Sequence, residues 1–173
     1  MSGQTLYQPP RHILAAFVPT SEEVVRRMLE LASVGERDIV YDLGCGDGRM
    51  VITAALLYGA RGMGCDVEPY RVEQSQENAA RAGVSHLVSF SLEDALEADI
   101  SEASVVTLYL SGWAMRMMRD KLTRELRPGA RVVSHTFYIE GWEPERQEKF
   151  VERGGRERTI YLWRAPGFDI AGE

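Results

Sequence analysis

Little in this chain suits a metal centre or a disulfide scaffold. It has two cysteines, Cys45 and Cys65, and three histidines in 173 residues. The cysteines form no C-x-x-C pair, and no spacing of Cys and His resembles a zinc site, so no metal is expected. Free buried thiols in a reducing cytoplasm are the expectation. No apolar run approaches the length of about 18 residues that a membrane span needs. The start, Met1 to Pro10, is polar and lacks a signal-peptide core. Apolar Ile13 to Val18 is short, stops at Pro19 and reads as docked chain. A cytoplasmic, non-membrane-spanning protein is expected. Positive charge is also scarce. Twenty Lys and Arg stand against 26 Asp and Glu, a net charge of −6. A phosphate backbone needs clustered positive charge, so nucleic acid is a poor candidate partner. Repeats and low-complexity runs are absent.

What is present suits one domain with a real core. The length falls within the usual single-domain range, and 45% of residues are apolar. Thr20-Ser-Glu-Glu23 reads as a capping box with Thr20 as the N-cap. Val24, Val25, Met28, Leu29 and Ala32 follow at helical spacing, and Gly35 should end that helix. Strands are expected at 38–43, 61–65, 87–90, 103–110 and 130–137. Helices are expected at 49–58, from Pro69 to Ala82, and at 113–126. Alternating strands and helices with short links indicate an α/β fold with a parallel sheet. The end departs from this alternation. Residues 149–153, Gly154-Gly155 and residues 158–164 read as an antiparallel β-hairpin closing the sheet edge. That edge is a candidate contact, and a monomer or homodimer is expected.

The chemistry-bearing feature is Asp42-Leu-Gly44-Cys45-Gly46-Asp-Gly48, between the first strand and its helix. Glycines there allow a sharp turn and close approach to a ligand beyond the strand ends. A dinucleotide loop would need its third glycine at position 49, which is Arg49. Asp42 and Asp47 would repel a pyrophosphate. They suit a ligand with an ammonium and a sulfonium. S-adenosylmethionine (SAM) has both, and its carboxylate would go to free amides at the helix start. Asp66 follows the second strand, about 20 residues after the loop, where an acid can take ribose hydroxyls. Asp94 follows the third strand, where it could accept from the adenine amino group. Each acid alone could be a solvated strand end; three at successive strand ends point to one ligand.

These residues resemble a class I SAM-dependent methyltransferase over about residues 17–164. Val40 to Arg49 is similar to its first motif, Gly64-Cys-Asp66-Val67-Glu68 to its ribose motif, and Glu93-Asp94-Ala95 to its adenine motif. A narrower resemblance is to the small lysine methyltransferases that modify the ATP synthase c-subunit, and to their bacterial relatives. Phe17-Val18-Pro19-Thr20, Lys121 to Leu126 and Gly141-Trp142 carry it. It implies a Rossmann-like methyltransferase fold at 21–164, a segment 1–20 folding over the cofactor, and a tail at 165–173. It also implies SAM as cofactor and a protein lysine as methyl acceptor, with a small-molecule acceptor as the alternative. The fold usually has a sixth helix between strands five and six. Residues 143–149 leave room for two turns at most, so that helix should be shortened or missing.

Acceptor-binding groups in this fold follow the fourth strand, where Tyr109 stands; a core aromatic is the other reading. The Asn/Asp-Pro-Pro-Tyr signature of nucleobase and glutamine methyltransferases is missing; Leu110-Ser-Gly-Trp113 stands there instead. Trp113 and Met117 share a helix face that floors a substrate groove or belongs to the core. His135 is a candidate base or a structural histidine, and Trp142 a lid or a packing residue. Cys45 is a small filler. A nucleotide-dependent oxidoreductase is disfavoured by Asp42 and Arg49. A non-catalytic SAM-binding module is the remaining alternative.

Overall fold

The computed structural model describes residues 18–166. Its centre is a seven-stranded sheet in the order β3-β2-β1-β4-β5-β7-β6. The strands are β1 (Ile39–Leu43), β2 (Arg61–Asp66), β3 (Val88–Leu92), β4 (Val105–Leu108), β5 (Arg131–His135), β6 (Arg146–Val151) and β7 (Glu157–Arg164). The first five run parallel. The closing hairpin sets β7 antiparallel against both β5 and β6.

Side chains alternate across each strand, so each feeds two cores. On one face, Val40, Val105, Val133 and Ile160 meet helices α1 (Glu22–Leu31) and α2 (Arg49–Tyr58). Helix α3 (Pro69–Ala82) lies beside α2 on that side. On the other face, Leu43, Val106, Leu108, Val132 and Trp163 meet helix α4 (Gly112–Glu125) and the segment carrying Ala98 and Ile100. Helices α2 and α3 have the predicted bounds. Gly59 and Gly83 end them in the left-handed region, with φ of 67° and 73°.

The start of α1 corrects the capping prediction. Its N-cap is Ser21, whose Oγ accepts from the Val24 amide at 3.3 Å. Thr20 stays outside the helix because Arg49 Nη1 donates to its carbonyl at 2.6 Å. Glu23 does not reach back; it accepts from the Arg153 amide of the hairpin turn at 2.9 Å. The helix also ends before Gly35, at Ala32. Asp38 Oδ2 instead accepts from the Gly35 amide at 2.8 Å, bracing the turn into β1.

No helix intervenes between β5 and β6 among the described residues. Aromatic packing covers the sheet there. Ile139 is fully buried, Tyr138 meets Tyr161 and Trp163 edge-on at 5.4 and 5.7 Å, and Trp163 Nε1 donates to the Trp142 carbonyl at 3.1 Å. No helix of the described residues is long and apolar enough to cross a membrane.

Candidate active site

The chain leaves β1 outward to β2 and β3, then returns to β4 on the other side of β1. The carboxyl ends of β1 and β4 therefore flank the point where the order reverses, the usual ligand site of an open α/β sheet. A cleft opens there. Val18, Pro19 and Thr20 form one wall. Asp42, Gly44, Cys45 and Asp47 come from the loop after β1, Asp66, Val67 and Glu68 from β2, and Glu93 and Ala95 from beyond β3. Leu108, Tyr109 and Leu110 close the end at β4. Phe17 lies outside the described residues.

The glycine loop is held by its own hydrogen bonds. Gly44 and Cys45 donate to the Cys65 carbonyl at 3.0 and 2.8 Å, and Gly48 donates to the Cys45 carbonyl at 2.9 Å. The Gly46 amide donates to Asp66 Oδ2 at 3.0 Å and the Arg49 amide to Asp47 Oδ1 at 3.2 Å. These five amides already have protein acceptors, so they are not the free donors expected for a ligand carboxylate. Gly48 is a packing position rather than a cleft position. Its φ is +82°, and an added methyl would sit 2.9 Å from Phe90 and from Ser75.

Asp42 lies inside the cleft and accepts from Thr107 Oγ1 at 2.8 Å. Burial pushes its carboxyl up to about 7; the Thr107 bond opposes this, and Asp66 and Asp47 add to it. A cation placed here favours the ionised form. SAM affinity is therefore expected to rise about tenfold per pH unit below 7 and to level off above it. The cofactor-free protein should show the converse. A carboxyl raised from 3.8 contributes stability that is full below that pH and is lost as the pH climbs toward 7. Asp42→Asn should flatten both profiles, measured by titration calorimetry and thermal unfolding across pH 4–8. A sloped profile in the variant would assign the titration to another group.

Arg49 was not foreseen as a site residue, although the Asp47-Gly-Arg49 spacing could have signalled it. Its guanidinium holds Asp47, with Nε donating to Oδ1 at 3.0 Å and to Oδ2 at 3.2 Å and Nη2 donating to Oδ2 at 2.6 Å. Its Nη1 reaches the Thr20 carbonyl. One guanidinium thus ties the Val18–Thr20 wall to the glycine loop. Burial pushes the Asp47 carboxyl up, but the hydrogen bonds and charge of Arg49 outweigh this and hold it below the usual range. Met50, Arg71 and Glu68 also line the cleft. Cys45 and Cys65 are free thiols, and burial raises both, Cys65 to about 12. They act as small neutral fillers.

The other expected residues divide by position. Asp94 is buried, does not line the cleft, and its Oδ1 accepts from the Leu96 amide at 2.9 Å; Glu93 beside it faces the cleft. Tyr109 lines the cleft, with its ring 4.1 Å from that of His135. His135 is itself 1% exposed and does not line the cleft; its ring packs against that of Tyr109, which does. Burial lowers its imidazole to about 4, helped by the Arg158 charge and opposed by Glu152, so it is neutral and a weak base. Trp113 is half-exposed at the start of α4 and outside the cleft, while Met117 packs on the α4-side core. Trp142, half-buried, also packs on that core and does not line the cleft.

The donor set fits a cationic cofactor: carboxyl groups at three strand ends surround a cleft walled by a separate segment. The solved structure of an RNA methyltransferase from Salinibacter ruber, in complex with S-adenosyl-L-homocysteine, matches with a TM-score of 0.81. It is 48% identical, and the match covers 90% of this chain and 98% of that one. Fold and cleft together define a class I SAM-dependent methyltransferase. The chain belongs to the ANTKMT methyltransferase domain family, whose model matches residues 42–146. A protein-lysine N-methyltransferase of Saccharolobus islandicus is 47% identical over 85% of this chain and 91% of its own length. The adenine nucleotide translocase lysine N-methyltransferase of Mus musculus is 32% identical over 78% of this chain, which spans 58% of that protein.

Proposed function

We propose that the methyl acceptor is the ε-amine of a lysine on a protein. The observation that carries this reading is the charge of the cleft, where five carboxyl groups (Asp42, Asp47, Asp66, Glu68, Glu93) face two guanidiniums (Arg49, Arg71). Arg49 pairs with Asp47 and Arg71 with Glu68, which leaves Asp42, Asp66 and Glu93 to keep the cleft negative. That charge favours a cationic acceptor beside the cofactor and repels a phosphate backbone. Similarity to the Saccharolobus protein-lysine enzyme supports the same acceptor.

Bound SAM supplies an electrophilic methyl on a sulfonium, and the acceptor nitrogen displaces a neutral thioether. The protein's part is mainly positioning. The amine must arrive without its proton, which costs roughly 4.6 kcal/mol at pH 7 from a pKa near 10.4. The carboxyl groups draw the ammonium in, and the apolar walls at Val18, Leu108 and Leu110 desolvate it and ease the proton's loss to water. Neutral His135 has no surface in the cleft and takes no proton directly.

Label from methyl-tritiated SAM, incubated with a cell lysate, is expected in the protein fraction and, after acid hydrolysis, in methyl-lysine. The rate should rise with pH below the pKa of the acceptor amine. Label in RNA instead would replace this reading with RNA methylation, the activity for which the Salinibacter protein is named.

A further inference from the structure

The turn after β5 is built against backbone preference. Thr136 has a φ of +71°. The Phe137 amide donates back to the His135 carbonyl at 2.8 Å, making a γ-turn of the rare, strained hand. A β-branched residue is poorly suited to that region. Three further contacts keep the turn in place. The Thr136 amide donates to the Thr159 carbonyl at 2.8 Å, Ser134 Oγ donates to the Phe137 carbonyl at 2.7 Å, and the Phe137 ring sits 6.3 Å from Tyr109. Strain that the surroundings hold in place concentrates at functional positions. Its product here is a half-buried Phe137 that packs on the edge of the α4-side core and meets the ring of Tyr109, which lines the β4 end of the cleft.

We infer that Phe137 and Tyr109 form one aromatic wall along which the acceptor lysine enters, and that the strained turn at Thr136 exists to hold Phe137 there. The inference rests on the lysine reading above. Centroids 6.3 Å apart are in contact range for two rings, so the wall has no gap. An aliphatic stem packs on such a surface, and ring faces attract the ammonium and its methylated products. Phe137 would thus set acceptor affinity without touching the cofactor.

Phe137→Ala should lower the initial rate of methyl-lysine formation in lysate protein about tenfold at low acceptor concentration. Most of the rate should return at high acceptor, with SAM affinity unchanged. Thr136→Gly should separate fold from function. It relieves the strained φ, so the unfolding midpoint should rise by about 2–4 °C while acceptor KM increases several-fold. If the wild type makes methyl-lysine and Phe137→Ala shows an unchanged acceptor KM, the wall is refuted and the lysine reading stands. If Thr136→Gly is more stable and equally active, the strain has no part in acceptor binding. If the wild type makes no methyl-lysine, the lysine reading itself falls.

Discussion

Asp66→Ala is expected to weaken SAM binding about 100-fold while lowering the unfolding midpoint by only a few degrees. The Asp66 carboxylate does two things at once. Its Oδ2 accepts from the Gly46 amide and its Oδ1 from the Glu68 amide, both at 3.0 Å. It therefore ties the glycine loop to the end of β2 while facing the cleft. Removing it frees two amides at a half-solvated rim, where water replaces the lost acceptor at modest cost to the fold. For the cofactor the loss is larger. A carboxylate binding ribose hydroxyls makes charge-assisted hydrogen bonds of about 1.5–3 kcal/mol each, and at the lower end of that range two such bonds account for roughly two factors of ten. Calorimetric titration with S-adenosylhomocysteine measures the first effect and thermal unfolding the second. Unchanged affinity with a lowered midpoint would reduce Asp66 to a loop brace. Asp66→Asn keeps one acceptor oxygen and should fall between the two.

Gly64→Ala should be strongly damaging, to the fold and to the cleft together. Gly64 is interior to β2, and a methyl there would lie 2.7 Å from Cys45 Cβ, 2.8 Å from its Sγ and 2.9 Å from Phe90. Cys45 cannot rotate away, because the nearest clash is with its Cβ and its amide is bonded to the Cys65 carbonyl. The loop itself must move, and with it one wall of the cleft. Overpacking of this kind costs about 3 kcal/mol, a drop of roughly 6–12 °C in midpoint for a chain of this size. SAM affinity should fall with it. Adding Cys45→Gly removes both clashing atoms, so the double variant should be more stable than the sum of the single effects implies. Strict additivity would show that the strain lies at Phe90 instead.

Much of this was legible from local pattern. Helices α2 and α3 begin and end where glycine and proline place them, since Gly59, Gly83 and Pro69 act through their own backbone. Asp42 and Asp66 stand in the cleft where the spacing of strands and loops puts them, whereas Asp94, expected at the third strand end, does not line it. Legibility failed where distant residues compete. Thr20 and Ser21 are equally good caps in sequence; Arg49, 29 residues on from Thr20, decides between them by holding the Thr20 carbonyl. Asp94 and Glu93 are adjacent, and the packing of Ala95 and Ala98 into the α4-side core decides which carboxyl faces the cleft. Base or structural histidine at His135, and lid or packing residue at Trp142, stayed open because sequence carries no burial.

The sequence by itself determined the α/β alternation, the glycine loop, the cationic nature of its ligand and the resemblance to SAM-dependent methyltransferases. These depend on local backbone preference and on charge. Only the tertiary structure decided that the loop's amides serve the loop, that Arg49 joins it to the Val18–Thr20 wall, and that His135 is buried against Tyr109. It also decided that a strained turn carries Phe137 beside Tyr109. Those outcomes depend on which groups meet across the sheet, and a hydrogen bond or a buried ring is defined by a partner far away in the chain.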